Sequence, residues 1–301
     1  MTLPVSRHLA CAARTSALAT AQARAIASLL ARCGIQTEIV GVTTTGDRRS
    51  HAAVHALGET NVFVKELETA LRERRADYAV HSCKDLPSDL AADMRIAAIS
   101  ARDDARDAFC GEKFESFASL PAGAVVGTSS PRRKTQLAHL RSDLRFEDLR
   151  GNVDTRLRKL REGSYDAIVL AMAGLGRLHA AARYVVPFSS EEMVPATGQG
   201  ALAIEVRAED ATLTSILRAA INDDVAERCV TVERAALRAL HAGCSAPIGI
   251  YARETDGRTI VDAALAVDGR IVRERLEAPI GNLSDAQALG ERIAWQVAAL
   301  R

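Results

Sequence analysis

The chain has 301 residues, 48% hydrophobic and 26% charged, with a formal net charge of +1, which is enough apolar content for a substantial core and enough length for two or three domains. The longest apolar runs, such as residues 167–173, fall far short of the roughly 20 residues a membrane helix needs, so no transmembrane helix is expected. The six cysteines form no C-x-x-C pair, and His51 and His55 lack the glutamate of an H-E-x-x-H motif, so structural zinc, a bound catalytic metal and a disulfide framework are not expected.

The first acidic residue is Glu38, and the arginines and serines before it imitate an organelle transit peptide. Arg14 interrupts the only apolar stretch there, so a secretory signal is not expected and the cytoplasm is the default compartment. Residues 37–42 read as a strand, and 62–71 as a helix with Phe63, Leu67 and Leu71 on one face. Residues 78–82 return as a strand, which puts Lys84 and Asp85 just past a strand's carboxyl end. The charged run 102–107 breaks the apolar pattern and marks a boundary near 100.

The same strand–helix alternation then repeats. Residues 124–128 read as a short buried strand, followed by Ser129, Ser130 and Pro131 and a helix from Arg132, with proline in the first turn where helices accept it. Residues 144–149 give another strand, leading through Gly151 and Asn152 into a helix. Residues 166–171 give a third, closed by Gly174 before Arg177. This alternation predicts α/β layers. Between positions 127 and 161 there are ten Lys or Arg against four Asp or Glu, a local charge of +6, so the remainder is −5. Helix N-termini at the carboxyl ends of strands, with hydroxyls and forked guanidinium donors beside them, suit carboxylates or phosphates. Arg132, Arg133, Arg150 and Arg156, next to turn residues, are the candidate anion ligands; Arg158, Lys159 and Arg161 read as an exposed helix face. One aromatic in the segment, Phe146, is too few for stacking bases, so no nucleic acid is expected.

A second boundary falls near 195, at the P-A-T-G-Q-G stretch of residues 195–200. Beyond it, Asp223 and Asp224 cap a helix whose Val225, Cys229, Val232, Ala236 and Leu240 form one stripe, with Gly243 as C-cap. Asp268-Gly269 between residues 259–266 and 270–276 is a hairpin signal, and Ser284 to Gln287 reads as a capping box opening the last helix. The tail is thus a small α+β domain.

Cys244 lies in H-A-G-C-S-A-P-I-G, among residues too small to bury it. It follows the C-terminal end of its helix, where the dipole does not lower a thiol pKa, and His241 is the only nearby base. A covalent attachment point, a nucleophile using His241 and a silent thiol all remain open from the pattern alone.

Six stretches, A-R-T-S-A-L-A-T-A-Q (13–22), H-S-C-K-D-L-P (81–87), G-T-S-S-P-R-R (127–133), L-R-G-N-V-D-T-R (149–156), P-A-T-G-Q-G-A (195–201) and G-C-S-A-P-I-G (243–249), resemble in the same order the hydroxymethylbilane synthase, or porphobilinogen deaminase, family. The resemblance implies two α/β domains like those of periplasmic binding proteins, over 1–100 with 200–218 and over 101–199, and a C-terminal α+β domain over 219–301 carrying the cysteine. It implies a transferase that strings four porphobilinogen units, with loss of ammonia, onto a dipyrromethane primer thioether-bonded to Cys244, and then releases linear hydroxymethylbilane with water. It implies Asp85 as the catalytic residue. It places Lys84, Thr128, Ser129, Ser130, Arg132, Arg133, Gly151 and Arg156 on the cofactor, and Arg14, Ser16, Phe63, Arg150, Arg156, Arg177 and Gln199 on substrate. A monomer is the family expectation. Residues 58–63, G-E-T-N-V-F, lack the lysine many relatives carry there. The rival readings are a non-catalytic binder of small anions on the same two domains and a cysteine-dependent transferase or hydrolase.

Overall fold

The structure is a computed structural model that describes residues 7–43, 64–242, 246–267 and 269–300. Phe63, His51, His55, the 58–63 loop, Gly243 and Cys244 lie outside the described residues. The chain divides into two compact units, residues 1–102 with 201–227, and 103–200 with 228–301.

In the first unit, β1 (Arg7–Arg14), α1 (Ala17–Arg32), β2 (Ile35–Val42), α2 (Lys65–Arg72), β3 (Tyr78–Ser82), β4 (Met94–Ile99), β10 (Leu202–Arg207) and α6 (Ala211–Ile221) follow the chain. The sheet order is β2-β1-β3-β10-β4, with β1 parallel to β2 and β3 and with β10 antiparallel to both its neighbours. Side chains alternate across β1: Leu9, Cys11 and Ala13 pack with Ile26 and Leu30 of α1, while Ala12 faces Leu67, Ala70 and Leu71 of α2. The basic, acid-poor stretch that imitates a transit peptide is therefore part of the first sheet, as β1 and α1, because its alternating small apolar residues fit between two helical layers.

The second unit begins with β5 (Asp107–Gly111), β6 (Val125–Gly127), α3 (Pro131–Leu140), β7 (Arg145–Glu147), α4 (Val153–Arg161), β8 (Ala167–Ala171), α5 (Met172–Leu178) and β9 (Tyr184–Pro187). Its order, β7-β6-β8-β5-β9, repeats the first sheet's topology: three parallel strands, then a reversed strand, then an edge. The same unit continues into the meander β11 (Ile248–Thr255), β12 (Arg258–Val267) and β13 (Arg270–Ala278), one face of which packs on α7 (Asp224–Ala239) and α8 (Leu283–Ala298). The architecture is thus two α/β sheets of one topology and a small antiparallel α+β sheet.

Several expectations need correction. Gly174 does not stop the chain: it lies inside α5, whose Leu175 is buried with Ile168 and Leu170 of β8. Val225 is 43% exposed and outside the α7 stripe that Cys229, Val232, Ala236 and Leu240 form. The last helix is capped by Asn282 rather than Ser284: Asn282 Oδ1 accepts from Asp285 N at 2.9 Å while Asp285 Oδ2 accepts from Gly281 N at 3.1 Å, a reciprocal pair two residues upstream of the one expected. The charged run at 102–107 ends in a buried strand, since Asp107 opens β5 with no exposure at all. Strand β11 went unread although Asp256-Gly257 carries the same turn signal as Asp268-Gly269, with both residues at positive φ.

Candidate functional site

Three chain segments converge on one cavity in the first unit. Arg14 ends β1; Ser16 follows as the N-cap of α1, its Oγ accepting from Ala19 N at 3.3 Å. Ser82 ends β3, and a single 3₁₀ turn, Cys83–Asp85, carries Asp85 to the same rim. Arg14, Ser16, Gln22, His81, Ser82 and Asp85 all line the cavity. Gln22 is buried and donates from Nε2 to Ser82 Oγ at 2.7 Å, which fixes the hydroxyl. Asp85 is exposed, and among the described residues no ion pair holds it, so its carboxylate is presented to whatever enters rather than tied to Lys84. The cavity thus presents a guanidinium, hydroxyls, a carboxamide and an exposed carboxylate together.

In the second unit, hydroxyl and basic side chains gather at the corresponding strand ends. Thr128, Ser129 and Ser130 follow β6. Ser130 caps α3, its Oγ accepting from Arg133 N at 3.4 Å, its own N donating to Thr128 Oγ1 at 3.3 Å; Ser129 Oγ donates to Leu149 O at 3.1 Å. After β7, Gly151 sits at φ +114°, where a side chain is strained and where a Cβ would stand 2.7 Å from Thr155 Cγ2. Its turn lets Asn152 cap α4, and Arg156 is aligned by donating from Nε to Gly151 O at 2.8 Å. Arg150 is half-buried beside Asp148 at 3.9 Å. Arg177 on α5 is drawn inward: Nε lies 2.8 Å from Asp103, Nη2 donates to Gly200 O at 2.6 Å, and burial pulls its guanidinium pKa down against the pull of Asp103.

Arg132 and Arg133 point into the unit rather than out of it. Both clasp Asp107, each with a shortest contact of 2.7 Å, and Arg132 Nη1 and Arg133 Nη1 also donate to the carbonyls of Val194 and Val169 at 2.8 Å. Gln199 Nε2 donates to Asp107 Oδ1 at 3.0 Å and to Ala105 O at 2.7 Å. Burial alone would push the Asp107 carboxyl up; the two guanidinium groups outweigh it and hold it well below the usual carboxylate range. The Gln199 loop is pinned from behind by Glu233 of α7, which is fully buried and accepts from Gly198 N at 2.6 Å and Ala252 N at 2.8 Å. Arg158 pairs with Glu162 on an exposed face.

The structure thus gathers Arg14, Ser16 and Asp85 in one cavity, and Thr128 to Ser130, Arg150, Gly151 and Arg156 at one set of strand ends. Gln22, His81 and Ser82 line the cavity without having been singled out. Gln22 had a signal, being the one polar residue on the stripe of α1 that holds Ala19, Ala23, Ile26 and Leu30. Asp107 had none, since its charge sat in a run of five other polar or small residues.

These features define a class: a two-sheet α/β protein with basic and hydroxyl side chains at the carboxyl ends of each sheet's parallel strands and, in the first unit, an exposed carboxylate. The family model described as porphobilinogen deaminase, dipyromethane cofactor binding domain, matches residues 9–215, and that of the porphobilinogen deaminase C-terminal domain matches 227–299. The porphobilinogen deaminase of Albidiferax ferrireducens is 45% identical over 97% of this chain and 93% of its own, and that of Methylobacillus flagellatus 44% identical over 98% and 95%. Among solved structures, a nutrient-binding protein from Burkholderia cenocepacia bound to methionine is similar at 13% identity and a TM-score of 0.43, over 69% of this chain and 89% of that one. The chain belongs to the porphobilinogen deaminase family. It is a transferase of tetrapyrrole biosynthesis with a dipyrromethane cofactor, acting on porphobilinogen, which sets aside the non-catalytic anion binder.

Proposed function

We propose that this chain makes hydroxymethylbilane by adding four porphobilinogen units one at a time to a dipyrromethane held by Cys244, with Asp85 as the catalytic carboxylate. The observation that carries the reading is the cavity where Asp85, free of any ion pair among the described residues, shares a rim with Arg14, Ser16 and Ser82. Loss of ammonia from the aminomethyl group leaves a cationic methylene on the substrate's pyrrole. A carboxylate facing the ring N–H stabilises that charge. Arg14 and the hydroxyls of Ser16 and Ser82 suit the acetate and propionate of the same ring.

The residues fit the cofactor as well. A dipyrromethane brings four carboxylates and two ring N–H groups, and when bound it supplies a fixed pyrrole end for chain growth. The N-terminus of α3 with Thr128, Ser129 and Ser130, and Arg150 and Arg156 after β7, would hold its acids; Lys84, beside Asp85, would serve one more. Arg132, Arg133 and Gln199 would act through the Asp107 cluster that shapes this cradle, and Arg177 and Gly151 through the loops they fix. The other described cysteines support Cys244 as the anchor. Cys11 and Cys110 are buried thiols with pKa values pushed up by burial to about 12, Cys83 and Cys229 are buried, and Cys33 is half-buried. Phe63 is proposed as a substrate contact on the same footing. The division into domains at 1–100 with 200–218, 101–199 and 219–301, a monomeric state, a cytoplasmic site of action and the lack of a nucleic-acid partner complete the reading.

Intact mass tests it. The purified protein should carry the added mass of two pyrrole units, and Cys244→Ala should carry none and turn over no porphobilinogen. An unmodified wild-type chain that is nonetheless active would overturn the covalent primer.

A further inference from the structure

His81 lies on β3, one residue before Ser82, and is one of the residues that line the Asp85 cavity. Behind it is Glu205 of β10, with no exposure: His81 Nε2 and Glu205 Oε2 are 2.9 Å apart, and Glu205 Oε1 is buried without a hydrogen-bond partner. Ala203, not Glu205, is His81's partner in the strand register, so the contact reaches diagonally across the sheet face. That face is the one α2 covers, and the groups on it are Glu68 with Arg72 on α2, Arg207 farther along β10, Arg14 on β1 and Asp85 at the rim. Glu68 sits close enough that, after burial, the charge of Glu205 is the next cause pushing its carboxyl pKa up. A fully buried carboxylate with one oxygen unserved and a second carboxylate nearby is expensive to keep. Sheet packing does not call for it. What it accomplishes is orientation: with Nε2 engaged by Glu205, Nδ1 is the ring nitrogen without a partner among the described residues, and an imidazole can both accept and return a proton.

We propose that His81, braced by Glu205, removes the pyrrole α-proton at each coupling. The inference rests on the reading of Asp85 as the carboxylate that stabilises the cationic methylene. At each addition porphobilinogen enters with its aminomethyl group protonated, and the methylene–nitrogen bond breaks with its electron pair leaving on nitrogen as ammonia. The α-carbon of the acceptor pyrrole forms the new carbon–carbon bond. The α-carbon–hydrogen bond then breaks, its pair restores the ring's aromaticity, and the proton passes to His81 Nδ1. The imidazolium returns that proton to the ammonia, which departs as ammonium, so each turnover leaves His81 as it began. Glu205 is a positioning residue: it touches neither substrate nor the reacting carbon.

The test uses holoenzyme and porphobilinogen carrying deuterium at the α-carbon. His81→Asn should load its two-ring adduct, keep KM within about threefold and lose kcat by roughly 10²-fold or more. It should also show a primary isotope effect absent from or smaller in the wild type, because proton removal becomes limiting. Glu205→Gln should show the same signature more weakly, and it serves if His81→Asn does not fold. Turnover within threefold of wild type, or a loss with no isotope effect and a raised KM, would overturn the proposal. Near-normal turnover of Asp85→Asn would instead strike the reading on which it rests.

Discussion

Replacing Asp107 by Asn removes one charge and almost no volume, and leaves two guanidinium groups with 6% and 7% of their side chains exposed facing an amide. Asp107 accepts from Arg132 Nη1 at 2.7 Å, from Arg133 Nε at 3.0 Å and Nη2 at 2.7 Å, and from Gln199 Nε2 at 3.0 Å. At an effective dielectric near 20 each pair is worth about 4 kcal/mol of Coulomb energy. Returning the carboxylate to water regains several kcal/mol, so the net loss falls at about 3–5 kcal/mol, the range found when one partner of a buried pair is deleted. The assay is urea unfolding followed by far-UV circular dichroism, since the single tryptophan, Trp295, is 76% exposed and senses little change. The pH dependence gives a second reading. Asp107 ionises in the folded protein well below the unfolded value of about 3.9. Its contribution is therefore complete above that value and is lost as pH falls below it toward the folded value, so the gap between wild type and Asp107→Asn should close in acid. A midpoint shift equivalent to less than about 1 kcal/mol at pH 7, or a gap unchanged at pH 3, would refute the account of the cluster.

Asp85→Asn should fold like wild type and keep the two-ring adduct on intact mass, yet lose turnover by about 10²- to 10⁴-fold; near-normal turnover in ammonia release would reject its role. Gly290→Ala should destabilise the C-terminal sheet's helical layer by about 1–3 kcal/mol in the same urea assay, because a Cβ there would stand 2.2 Å from Val232 O of α7.

Residues 78–82 read as a strand and are one, because a run of apolar residues ahead of a polar turn leaves few alternatives inside an α/β chain. The placement of Asp85 beyond that strand followed directly. The hydroxyls ahead of α3 and the Gly151-Asn152 turn ahead of α4 were equally legible, since capping is written in adjacent residues. What distance in sequence conceals is pairing. Arg132 and Arg133 look like outward ligands until Asp107, 25 residues upstream, is folded beneath them, and His81 looks incidental until β10 brings Glu205 behind it. The reversed strands β5 and β10 escaped notice for the same reason: each begins or ends beside a loop, and its partners lie elsewhere in the chain. Glu233 is a helical residue like any other until Gly198 and Ala252 converge on its two oxygens.

The order β2-β1-β3-β10-β4 has a bearing on how the protein is born. Strand β4 has β10 as its sole hydrogen-bonded neighbour, and β3 shows β10 its second edge. About a hundred residues of the second unit must be translated before β10 leaves the ribosome. Until then the nascent first sheet has an apolar rim and a stranded segment at 94–99, the kind of edge that recruits other chains. A polypeptide cut short anywhere before residue 207 would carry that open rim permanently, so the two halves of this protein cannot be made as independent pieces by simple truncation.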